Sequence, residues 1–322
     1  LNVTSELIDV SARGVIGPLG TSAVFNMPFT AQSGDLAALA KAFDLDSPFG
    51  GEVGFSAVLA GTVDALDLNG VSVQLDNDFG RFGLNGRVAS LGPDAELELD
   101  IDVAVPDLAR LGPVLDWPLD QYPGVGLSGR AKLLREEGQL RLSGVDGKIN
   151  GKGIRSGRFF GQLPDLTHLA SGSITVTLAV DDLGQFTGPL GLVTAAALPA
   201  RLSANVVGAP QPGSPLFVVF DGVSDDMQLQ INGQVRPSDK KTTFDLNSRF
   251  QTDDIAKVSK IFGLAIPLDG PFSLETELRH DASQDAKTVS GTVRMSSNNL
   301  NAAAQGIFSW PLRSGNQMSL QF

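Results

Sequence analysis

The sequence predicts a mainly β protein: antiparallel sheet repeats, each of about four strands and one short helix in about 72 residues, forming an elongated bent sheet or groove. Three observations carry that expectation. Ala95, Leu97, Leu99, Ile101, Val103 and Val105 alternate with Glu96, Glu98, Asp100 and Asp102. Successive strand side chains point to opposite faces, so this segment has one dry face and one charged face. Runs of the same kind are separated by Gly, Asn, Asp, Ser and Pro at hairpin spacing, which reads as antiparallel sheet apolar on one face only. Finally, three short landmarks return four times in one order.

In chain order, residues 1–34 read as the strand tail of a preceding unit. The first landmark then opens four repeats: Asp35-Leu36-Ala37-Ala38-Leu39, Asp107-Leu108-Ala109-Arg110-Leu111, Asp182-Leu183-Gly184-Gln185-Phe186 and Asp254-Ile255-Ala256-Lys257-Val258. The Asp positions lie 72, 75 and 72 residues apart. Asp before an apolar helical spacing is an N-cap signature, so each opens a short helix, with Gly184 and Phe186 weakening the third. Pro48, Pro123, Pro199 and Pro267 mark the return to strand. The second landmark is Leu68-Asn69-Gly70-Val71, Leu142-Ser143-Gly144-Val145, Phe220-Asp221-Gly222-Val223 and Val289-Ser290-Gly291-Thr292. The third is Leu84-Asn85-Gly86-Arg87-Val88, Arg155-Ser156-Gly157-Arg158-Phe159, Ile231-Asn232-Gly233-Gln234-Val235 and Ala304-Gln305-Gly306-Ile307-Phe308. Strand glycines mark bulges or close backbone approach, and their recurrence predicts a repeated bend. The repeats therefore run 35–106, 107–181, 182–253 and 254–322, one array read as an excerpt of a longer chain. Segments 208–215, 237–241 and 280–287 read as exposed loops.

Composition narrows the function classes. The 322 residues carry 24 Lys and Arg against 36 Asp and Glu, a net charge of −12. That balance argues against nucleic acid and against electrostatic docking on anionic lipid. There is no cysteine, so disulfides, thiolate metal sites and Cys nucleophiles are excluded. His168 and His280 are the two histidines, and neither has a nucleophile or metal partner nearby in sequence. The reading is of a non-enzyme without cofactor. No run is long enough to span a bilayer as a helix, so an anchor is expected outside this window.

The segment 35–75, DLAALAKAFDLDSPFGGEVGFSAVLAGTVDALDLNGVSVQL, resembles the repeat of the AsmA-like family of Gram-negative envelope proteins. That repeat passes from a short Asp-Leu-x-x-Leu helix through a Pro/Gly turn to a strand, then to a Leu-x-Gly strand. The hairpin 79–105, with Leu84–Gly86 at its centre, resembles the piece that follows. The likeness covers most of the chain through the four repeats and is closest over 35–111.

The resemblance implies a periplasmic β-groove, tethered to the inner membrane by an N-terminal helix, whose apolar trough carries phospholipid between membranes. The residues are compatible with this. A methylene moved from water to an apolar site gains about 0.8 kcal/mol, so an acyl chain is sheltered by a continuous trough without specific polar contacts. The candidate lining is Phe55, Leu59, Leu84, Leu97, Leu99, Ile101, Val103, Leu127, Leu133, Leu229, Ile231, Phe244, Leu246, Phe272 and Leu274. The expected partners are phospholipid acyl chains and other envelope proteins. The alternative is a module that aids outer-membrane protein biogenesis, as in related groove proteins of the TamB type; an envelope polymer hydrolase stands third. The apolar rows also read as plain protein core. Trp117 and Trp310 read as loop anchors. Asp225-Asp226 and Asp253-Asp254 read as solvated turns. Arg130, Lys132 and Arg135, around Leu133, read as a wet strand face, with a phosphate contact as the lesser alternative.

Overall fold

A computed structural model of the chain describes residues 1–309 other than 18–22, 43, 46, 48, 63, 93–94, 116–118, 123, 137, 167–170, 188–196, 209–213, 237–241, 264–266 and 282–287. The chain is mainly β, and its antiparallel strands are not closed into a barrel. It divides into two compact units, Leu1–Lys152 with Phe160–Thr167, and Gly153–Phe159 with His168–Phe322.

The first unit holds the short strands β1 (Asn2–Thr4), β2 (Asp9–Ala12) and β3 (Val15–Ile16), then β4 (Val24–Ser33), helix α1 (Leu36–Ala42), β5 (Glu52–Thr62), β6 (Ala65–Asn77), β7 (Gly80–Ala89) and β8 (Glu96–Val105). A 3-10 turn (Leu108–Leu111), helix α2 (Gly112–Leu115) and a second 3-10 turn (Leu119–Gln121) follow, then β9 (Val125–Glu136) and β10 (Gln139–Gly151). From β4 to β10 each strand pairs antiparallel with the next. Strand β11 (Ile154–Leu163) is shared between the units.

The second unit holds β12 (Ser173–Val180), α3 (Gly184–Thr187), β13 (Ala200–Gly208), β14 (Leu216–Val223), β15 (Gln228–Arg236), β16 (Thr243–Thr252), α4 (Ile255–Ile261), β17 (Phe272–His280), β18 (Thr288–Ser297) and β19 (Asn301–Ser309). From β12 to β19 the pairing is again antiparallel and sequential.

All four predicted caps form. The carboxylate Oδ1 of Asp35 accepts from the N–H of Ala37 at 2.9 Å, and that of Asp254 from Ala256 at 2.9 Å. Asp107 Oδ1 accepts from Ala109 and also from Gly124, both at 3.1 Å. Asp182 Oδ1 accepts from Gly184 at 3.0 Å and from Leu198 at 3.2 Å. In these two, one side chain holds both the start of the helical turn and the approach to the next strand. The backbone adds a second tie: the N–H groups of Leu36, Leu183 and Ile255 donate to the carbonyls of Gly51, Leu198 and Gly270 at 2.9, 2.8 and 3.0 Å. The residues two places before each Asp, namely Ser33, Val105, Val180 and Thr252, are all buried. So is Ile255 on the first turn of α4. Each clasp therefore closes beside a buried strand end.

The glycine landmark resolves into two behaviours. In β6 the apolar parity changes from Leu66 and Leu68 to Val71, Val73 and Leu75. A bulge between the two sets absorbs one residue, with Gly70 at φ +58°. In β10 the same shift separates Leu140 and Leu142 from Gly147 and Ile149, with Gly144 at φ +59°. A left-handed residue costs glycine no Cβ clash, so the bulge sits where the glycine is. Gly222 and Gly291 are different: their strands keep one parity and pair without a shift. The expected bend therefore occurs at two of the four landmarks, because only there does the apolar phase slip by one.

Candidate functional site

Strand parity and register gather the fifteen candidate lining residues onto one face of the sheet in each unit. In the first unit, Leu84 of β7 lies between Val73 and Ile101, and Val88 lies between Leu68 and Leu97. Leu59 pairs with Leu68, and Phe55 with Val73. Leu99 pairs with Leu133, while Val103 and Val105 pair with Gly129 and Leu127. At the centre Ala57, Val71 and Leu99 are buried, with Phe29, Phe55, Leu68, Val73, Val88 and Leu133 packed against them. Phe29 and Phe55 meet with ring centroids 5.2 Å apart.

In the second unit Leu229 lies between Gly222 and Phe250, and Phe250 pairs on with Leu274. Ile231 sits between Phe220 and Ser248, and Leu246 between Gly233 and Leu278. Phe244 lies beside His280, and Phe272 opposite Thr252. Here the face is interrupted by a polar pair: the Ser248 and Thr276 hydroxyls bond each other at 2.7 Å. His280 is 6% exposed, stacks on Phe244, and its Nδ1 lies 2.7 Å from the Thr288 carbonyl oxygen.

Burial shows how this face is covered. Of the fifteen candidates, only Leu99 is buried, at 8% exposure; the other fourteen are half-buried. Side chains sealed between two sheets would be nearly fully covered. Among the described residues the face therefore stays half-wet along its strands in each unit, with the first unit driest at Ala57, Val71 and Leu99.

The opposite face is polar and cross-linked. Lys132 binds Glu98 at 2.8 Å, Arg87 binds Asp67 at 2.6 Å, and Arg279 binds Asp245 at 2.6 Å. Arg294 binds Glu277 at 2.7 Å. These pairs are solvated, so each adds little stability. The Ser90 backbone N–H and the Arg87 guanidinium hold the Asp67 carboxyl below its ordinary value. The Lys132 ammonium likewise lowers Glu98, while Asp226 raises the Lys257 ammonium.

Several sequence readings are refined. Arg130 and Lys132 do face outward, opposite Asp102 and Asp100. Arg135 does not: its odd position puts it in line with Ala131 and Leu133, between Leu97 and Leu140 on the apolar face. The parity of Leu133 is the signal that could have found it. Asp226 is held by Lys257, and Asp254 is a helix cap. Among the described residues no cluster of His or acidic side chains could hold a metal ion. The polar face is also less charged than expected in the second unit, where Val207, Phe217, Val219 and Val223 are 40–47% exposed. Straight pairing of β14 puts its odd residues outward. Trp117, Trp310 and His168 lie outside the described residues. No described helix is long and apolar enough to cross a membrane.

No family model matches the chain, and no curated protein or solved structure matches it either.

Proposed function

We propose that the chain is part of a periplasmic groove protein of the AsmA-like type, which binds phospholipid acyl chains and conducts them between inner and outer membrane. The observation that carries this reading is that, in each unit, an apolar face runs in register over successive strands and most of its candidate lining side chains stay half-exposed. Apolar area left uncovered by protein is a site for an apolar ligand. Lack of directional polar groups on most of the face suits chains that slide, since dispersion and desolvation act without fixed geometry. The ion-paired opposite face keeps the sheet soluble while its apolar face is loaded. Under this reading the protein does no chemistry on its cargo, is tethered through a segment outside this window, and works with other envelope proteins.

The test uses the absence of cysteine, which makes a single introduced cysteine the only thiol of the chain. A photoreactive label at Leu84→Cys or Leu246→Cys should crosslink phospholipid in cells, and native mass spectrometry of the purified chain should show bound phospholipid. Labels at Asn85→Cys and Asn247→Cys, one residue away on the polar face, should not crosslink. Lipid-free protein with no crosslink at any of the four positions rejects the reading. Crosslinks to an outer-membrane protein from the apolar positions favour the assembly-module alternative.

A further inference from the structure

Arg135 is the one charged strand residue on the apolar face of the first unit among the described residues. It is half-buried and has no ion-pair partner among them. Its outward neighbours are already matched: Glu98 is held by Lys132, and Glu136 by Arg141. Arg135 is a half-buried cation set in register between Leu97 and Leu140, and its planar fork suits a phosphate. Its place along the strand also matters. Arg135 lies near the end of β9 remote from the clasp, and inward of it the strand presents Leu133, Ala131, Gly129 and Leu127. From Leu133 to Leu127 is about 20 Å at about 3.4 Å per residue. One leaflet of a bilayer's hydrocarbon core is about 15 Å, half of about 30 Å.

We infer that Arg135 binds the phosphate of a phospholipid whose acyl chain lies along β9 toward the clasp. The inference rests on the groove reading and adds to it a headgroup position and a preference for phosphate-bearing lipids. The open face supplies shelter for the chain, and Arg135 supplies the polar end that the rest of the face lacks.

The experiment is equilibrium binding to the 322-residue chain of three probes: short-chain phosphatidylglycerol, diacylglycerol with the same chains, and inorganic phosphate. The wild-type protein should bind phosphatidylglycerol more tightly than diacylglycerol. Arg135→Leu should weaken phosphatidylglycerol about tenfold, the loss of a charge-assisted hydrogen bond, and leave diacylglycerol unchanged. Arg135→Lys, which keeps the charge and loses the fork, should recover only part of the affinity, and Arg130→Leu, on the polar face, should behave as wild type. Phosphatidylglycerol binding that is unaltered in Arg135→Leu overturns the inference and leaves the groove reading intact. Failure of both lipids to bind any variant overturns the groove reading. Inorganic phosphate that binds alone and displaces phosphatidylglycerol through Arg135 would make free phosphate the ligand and overturn the lipid assignment.

Discussion

The two units build the same kind of sheet from the same landmarks, yet differ in how their apolar faces are kept. In the first, the parity slips at Gly70 and Gly144, and a bulge restores the row. In the second, β14 and β18 run straight past Gly222 and Gly291. The first unit therefore has a face broken by one charge at its far end, and a buried cluster at its centre. The second has a hydroxyl pair in mid-face and apolar residues left on its polar side. Aligning the landmarks puts Val219 where the first unit has Asp67, and Gln234 where it has Arg87. The same glycine position is thus compatible with two strand paths, and the phase of the leucines and valines around it selects between them.

Deleting Gly70 should break the comparison most sharply. It would move Leu66 and Leu68 to the polar face or slip the register of β6, at a cost on the order of 5 kcal/mol. Chemical denaturation should show that loss, and hydrogen exchange should place it in β5 to β7. Next, Leu99→Ala should cost about 3 kcal/mol by creating a cavity in the central cluster. Leu246→Ala, at the matching place beside Gly233, should cost about half as much because that side chain is already half-exposed. Equal losses in urea denaturation would mean that the two faces are equally dry.

A smaller effect is expected at the hydroxyl pair. Ser248→Val alone should cost about 1 kcal/mol by stranding Thr276, whereas the double change to valine should be near neutral and should strengthen acyl-chain binding. A double variant as unstable as the single one would show that the pair is more than a local match. The smallest effect is electrostatic. The Asp67 carboxyl should titrate below the ordinary 3.8. Its folded value is depressed, so its contribution is present above the ordinary carboxylate range and is lost as pH falls through the lowered value. Carboxyl-directed NMR should find that low midpoint, and Asp67→Asn should flatten the acid limb of stability. An ordinary midpoint would remove the Ser90 and Arg87 contacts from the solution structure.

Much of this was readable in the residues, for identifiable reasons. The alternation at Glu96–Val105 fixes faces without knowledge of neighbours, and Asp35, Asp107, Asp182 and Asp254 announce helix starts through purely local hydrogen bonds. The bulges at Gly70 and Gly144 are written in parity: leucines on even positions followed by apolar residues on odd ones require an extra residue between them. The charge of Arg135 suggests the wet face, but its odd position in the alternation sets it on the apolar one. Whether the apolar face lies under a second layer is not written in any strand, since a sandwich and an open sheet use the same period-two pattern. Burial at Phe55, Ile101 or Leu274 depends on what stands above them, which is a long-range property.

The aspartate clasp has a consequence for inheritance. At Asp107 it closes over 17 residues and at Asp182 over 16, so each is made within its own repeat. A gene segment copied in frame carries its clasp, its helical turn and its strands together. The number of repeats can then rise or fall by duplication and loss, with different outward residues at matching landmark positions, as Asp67 and Val219 stand.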